Sequence, residues 1–181
     1  MQLIACIEWL FQKEHPDFVA RIEAARVAGL DGVSMHLWRE KPLDAIEAAL
    51  QQTGLRMASL CMDPRASLVD PREHATVLAA VRDAIHVAKR LGGAGMIVAS
   101  GFTRAGVPEA EQQAAAIAVL TQAAKLAADS GTTLLLEPVN MTVNGARMFV
   151  DGVKRGLDIV EAVASPGLRL LCDVYHSAVT G

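Results

Sequence analysis

The sequence predicts an α/β protein, an incomplete (β/α)8-type barrel with about six βα units. Three observations carry that prediction. Short apolar runs recur along the 181 residues, and helical patterns lie between them. Two of the later runs finish on a carboxylate, Glu137 and Asp173, and βα-barrels keep their chemistry at the carboxyl ends of their strands. The first turn, Glu8-Trp9-Leu10-Phe11, holds no glycine. That argues against an open doubly wound sheet, which six strands at this length would also fit, because such a sheet usually cradles a phosphate on a glycine-rich first turn.

The elements follow in order. Residues 2–7 read as a first strand; the start lacks a basic stretch and a cleavage site, so it does not read as a signal peptide. A helix over 16–28 has Pro16 in its first turn and Gly29 at its stop. The second strand covers 32–36, and a helix over 42–53 ends at Gly54. The third strand covers 55–61. Asp70 then caps a helix that opens on Pro71 and runs to Leu91, before Gly92-Gly93. After a fourth strand over 95–99 comes an alanine-rich helix over 108–130, stopped by Gly131. The fifth strand, 132–137, is closed by Pro138, which cannot donate to a ladder. A helix over 151–163 ends before Ser165-Pro166, and the sixth strand covers 168–173. No linker or low-complexity stretch divides the chain, so residues 1–181 are expected to form one domain lacking its last two βα units.

Composition narrows the function classes. A net charge of −3 offers no broad cationic field for nucleic acid. No apolar run approaches the roughly 18 residues of a bilayer span, so a cytoplasmic protein without a membrane partner is expected. Cys6, Cys61 and Cys172 are odd in number, have no CxxC spacing, and each lies in a predicted strand. They read as buried reduced thiols.

Strand parity picks out the candidate site. Thr133, Leu135 and Glu137 share one face, while Leu134 and Leu136 take the other. With the leucines under helices, Glu137 points into the barrel mouth. The same parity puts Leu171 and Asp173 inward and Leu170 and Cys172 outward. Glu137 and Asp173 are therefore predicted to share one divalent cation, Mg²⁺ or Mn²⁺ by the hardness of their oxygens. The plain alternatives are a solvated glutamate at a strand end and an aspartate capping the next turn. Asn140, in the turn after Glu137, is a candidate substrate contact or an ordinary turn residue. His36 is a candidate for the mouth. Trp9 reads as a pocket floor, an interface or core packing.

Leu136-Glu137-Pro138-Val139-Asn140, followed by residues 165–176 with Asp173-Val174-Tyr175-His176, resembles the hydroxypyruvate isomerases. The wider likeness is to the xylose isomerase-like TIM barrels, including ketose 3-epimerases and 2-oxo-tetronate isomerases. Ile7-Glu8-Trp9-Leu10-Phe11 is similar to that group's first strand and loop. The resemblance implies isomerisation of a small hydroxy-carbonyl compound or sugar through an enediolate. Glu137, or a glutamate opposite it, would move the proton, Glu137 and Asp173 would bind the metal, and His176, on the loop leaving the strand, would contact substrate.

The resemblance also asks for a His or Gln on a seventh strand and a second Glu on an eighth, which this sequence does not contain. The 181-residue chain is accordingly expected to be an incomplete enzyme, a fragment or a stand-alone remnant. Its open edges lead to an expected homo-oligomer or to a non-catalytic binding and assembly role. A ketose 3-epimerase is the nearest alternative activity. A DNA-repair endonuclease is disfavoured by five scattered histidines and the negative charge.

Overall fold

The computed structural model describes residues 2–180. Its main sheet joins β1 (Ile4–Cys6), β2 (Gly32–Met35), β3 (Arg56–Cys61), β4 (Gly95–Ala99), β5 (Leu134–Glu137) and β8 (Leu168–Leu170), all parallel and in that order. Between them run α1 (Ala20–Val27), α2 (Leu43–Thr53), α3 (His74–Arg90), α4 (Glu109–Ser130) and α5 (Val153–Val163). A strand followed by a helix, repeated through six parallel neighbours, is the incomplete (β/α)8 barrel that the sequence predicts. No helix among the described residues is long and apolar enough to cross a membrane.

The core lies between strands and helices. Val33, Met35, Met57, Leu60, Met96, Val98, Leu134, Leu136 and Leu168 are buried there, against Ile22, Ile46, Val81, Val119 and Ile159 of the helices. Alternate residues face the other side of the sheet, as a period of two requires. Ile4, Cys6, Ser34, Ile97, Ala99, Leu135 and Glu137 line that inner face and are only half-buried. Alanine lets α4 lie close: Ala116, Ala123, Ala124 and Ala127 are fully buried. A Cβ on Gly167, in the turn before β8, would sit 2.1 Å from the Ala124 carbonyl oxygen.

Several boundaries differ from the predicted ones. α1 begins at Ala20 rather than near Pro16: Asp17 Oδ2 accepts the Ala20 N–H at 3.0 Å, and the first turn is closed by three-residue bonds, Arg21 N–H to the Phe18 carbonyl and Ile22 N–H to the Val19 carbonyl. The sixth strand ends at Leu170, not Asp173, and α6 (Val174–Thr180) follows where a loop was expected. A small hairpin, β6 (Thr142–Val143) and β7 (Ala146–Arg147), turns on Asn144 and Gly145, both at positive φ. The cysteines are free, as expected, but only Cys61 is buried; Cys6 is half-buried and Cys172 exposed. Cys172 lost its strand with the early end of β8.

Candidate metal and active site

The strand ends gather the titratable groups. Leu134 and Leu136 are fully buried against the helices, so Glu137 stands on the inner face at the carboxyl end of β5. Its neighbour across the ladder is Ala99 of β4, whose small side chain leaves the carboxylate room. Asp173 arrives by another route. The ladder to β5 continues through Leu171, whose N–H donates to the Leu136 carbonyl at 2.9 Å. Asp173 then caps α6: its Oδ1 accepts the His176 N–H at 2.8 Å, and its carbonyl accepts the Ser177 N–H at 2.9 Å. His176 is therefore on a first helical turn, and three-residue spacing sets its ring beside Asp173.

One ligand atom each from Glu137, Asp173 and His176 lies within 4.8 Å of the others. Asn140 joins them through the ring. Its Oδ1 makes a short contact with His176 Nδ1, and its backbone N–H lies 3.4 Å from the same atom. Oδ1 can only accept and the backbone N–H can only donate, so the tautomer of His176 decides which of the two contacts is the hydrogen bond; either one holds the ring at Nδ1 and leaves Nε2 facing away from Asn140. All four residues singled out from the sequence thus meet in one place. Asn140 meets the others as a hold on the imidazole.

The electrostatics of this corner are unbalanced. Burial pushes the Glu137 carboxyl above the ordinary glutamate range; His176 opposes the rise, Asp173 adds to it, and Arg65 opposes it. Two carboxylates and an imidazole form a mixed O,O,N donor set, suited to a hard or borderline divalent ion. The residues present fit such an ion, which would relieve the repulsion that Glu137 and Asp173 otherwise carry.

A second group lines the same end of the sheet, and sequence reasoning passed over most of it. Glu8, just past β1, continues the inward set of Ile4 and Cys6; that parity was the available signal. Its Oε2 accepts the His36 N–H at 3.0 Å, and Lys41 Nζ donates to its Oε1 at 3.1 Å. Arg21 fixes the segment that carries Glu8. Its buried guanidinium donates to the carbonyls of Ile7, Glu8, His15 and Pro16 at 2.9–3.1 Å. No sequence pattern signals that role. His36 lines the mouth, edge-on to Trp9 with ring centroids 4.8 Å apart, and Trp9 is exposed rather than part of the core. Burial and the charge of Arg65 hold His36 below the ordinary histidine range. Burial, with the charge of Glu137 adding to it, pushes the Cys61 thiol up to about 12, so it stays protonated. His15 and His86 are exposed, and His74 Nε2 bonds the Leu68 carbonyl at 2.9 Å; none belongs to the site.

The family model for the xylose isomerase-like TIM barrel matches residues 22–181. The chain belongs to that family. A human protein named as a candidate hydroxypyruvate isomerase is 25% identical over 97% of this chain and 67% of its own length. Among solved structures, an AP endonuclease of family 2 from Brucella melitensis superposes with a TM-score of 0.88. It is 24% identical and covers 99% of this chain and 71% of its own. The IOLI protein with a bound zinc atom superposes at 0.82, with 18% identity, over 100% of this chain and 66% of its own. At such identities the structures establish the fold alone. Membership of the xylose isomerase-like family, together with relatives named as isomerases, places the chain in an isomerase-type enzyme family.

Proposed function

We propose that the strand-end site serves isomerisation of a small hydroxy-oxo acid of the hydroxypyruvate type, assisted by a divalent metal such as Mn²⁺ or Mg²⁺. The observation that carries this reading is the convergence of Glu137, Asp173 and His176 within 4.8 Å. The human relative's name supplies the substrate type. Glu137, Asp173 and His176 would hold the metal, which when bound supplies positive charge for an oxygen that becomes anionic.

The chain's own residues do the rest. A carboxylate oxygen of Glu137, made more basic by burial, takes a proton from the hydroxymethyl carbon beside the ketone. The C–H electrons form the enediolate. Return of the proton to the former ketone carbon, with transfer of the other carbon's hydroxyl proton to the former ketone oxygen, completes the aldehyde isomer. Asp173 orders α6 and with it His176; Asn140 keeps the imidazole in one orientation.

The half-reaction needs only one base. With Mn²⁺ and hydroxypyruvate in D₂O, the chain should accelerate exchange of the hydroxymethyl protons above the buffer rate, read by proton NMR. Glu137→Gln, with unchanged circular dichroism, should lose the acceleration and weaken Mn²⁺ binding. A glutamine variant that exchanges as fast as the original would sink the assignment. Ketose 3-epimerisation uses the same proton abstraction, and D-fructose exchange at carbon 3 under the same conditions would favour it instead.

A further inference from the structure

Arg65, in the segment after β3, is a guanidinium over the mouth that no carboxylate neutralises. Lys41 is paired with Glu8, Arg39 with Asp83, and Arg72 and Arg104 with Asp70. Arg21 is spent on carbonyls. Among the described residues, no carboxylate lies within ion-pair distance of Arg65. Although exposed, its side chain is turned inward. Nη2 lies 3.4 Å from His36 Nδ1, and its charge acts on Glu137, His36 and Cys61 alike.

The contact with His36 gives Arg65 a fixed anchor. An arginine can only donate, so His36 Nδ1 accepts and the ring's proton sits on Nε2. The His36 backbone is tied to Glu8, and its ring is edge-on to Trp9. One of the five guanidinium N–H groups is used there. The others keep the planar fork that matches a carboxylate's two oxygens. A neutral sugar offers hydroxyls but no charge, so it gains little from that fork.

We propose that Arg65 is the specificity-determining residue of the site, its guanidinium taking the carboxylate of a small 2-oxo or 2-hydroxy acid and so selecting acids over neutral ketoses. The proposal rests on the isomerase reading above and names the substrate class through one residue.

The test measures binding of tartronate and of dihydroxyacetone to the 181-residue chain in metal-free buffer, by NMR titration, with Mn²⁺ binding measured separately. Arg65→Met should weaken tartronate by about tenfold or more, the scale of one charge-assisted contact. Arg65→Lys, which keeps the charge without the fork, should fall between. Dihydroxyacetone and Mn²⁺ should bind as before, and melting should not change. Unaltered tartronate affinity in Arg65→Met overturns the proposal, as does failure of the original chain to bind tartronate. An equal loss of both probes also overturns it, since Arg65 would then shape the pocket without reading charge. If Mn²⁺ binding is indifferent to Glu137→Gln, the isomerase reading fails, and Arg65 is still judged on the tartronate result.

Discussion

Glu137 is where opposing demands meet. Its strand position buries it, and burial disfavours the charged form that both a metal and a base require. The pKa of Glu137 is raised in the folded chain. The folded state therefore binds more protons than the unfolded one between the ordinary glutamate pKa and this raised one. Stability from this group is present below the unfolded pKa and is lost as pH rises through the folded one. Without metal, Glu137→Gln should thus melt higher than the original at pH 7, and the gap should close as pH falls below about 4. Saturating Mn²⁺ should reverse the order at pH 7, because only the original chain gains from binding. Calorimetric scans across pH check both statements; a glutamine variant less stable at pH 7 without metal would contradict them. At this scale Glu137 was legible because a strict period of two governs Leu134 to Glu137. Arg65 and Arg21 were not, since contacts through long side chains across 29 and up to 14 residues leave no local pattern.

Helices were the most readable elements, because their ends are chemical. Gly54 and Gly131 adopt the left-handed conformation that stops α2 and α4, and Asp70 caps the turn before α3 through the Arg72 N–H. Strand ends are less readable. Leu170-Leu171-Cys172 continues an apolar run, yet pairing with β5 ceases after Leu171, and Asp173 begins a helix instead. An aspartate can close a strand or cap a helix, and only the partner across the ladder decides. The hairpin of β6 and β7 has two residues in each strand, too few to display a period. One glycine has a structural role of its own. Gly167 lets β8 enter beneath α4, and a methyl group there would overlap the Ala124 oxygen and approach the Ala128 nitrogen to 2.8 Å. Both are backbone atoms, so no rotamer relieves the clash. Gly167→Ala should destabilise the chain by about 1–3 kcal/mol, visible in urea denaturation. It should also weaken Mn²⁺ binding, because β8 leads directly to Asp173. A variant with unchanged midpoint and metal affinity would show that α4 can yield at this point.

The arc of six strands has two outer edges, β1 and β8, each with a sheet neighbour on one side only. Apolar side chains crowd near both. Leu3, Trp9 and Leu10 are 51%, 63% and 49% exposed beside β1, while Val174, Tyr175 and Val179 are 79%, 69% and 60% exposed beyond β8. The inner face adds Ile97 and Leu135, only half-covered. Unpaired backbone groups next to apolar side chains template association. Covering even a few hundred Å² of apolar surface at roughly 25 cal/mol per Å² is worth several kcal/mol, comparable with the stability of a whole domain. A polypeptide of these 181 residues should therefore self-associate through β1 and β8 as its concentration rises. Analytical ultracentrifugation should show mass increasing with concentration, and Leu3→Lys with Tyr175→Lys should return it toward monomer by placing charge at each edge. A single monomeric species at all concentrations, melting cooperatively, would mean that the exposed edges carry no association energy and that the arc is stable alone.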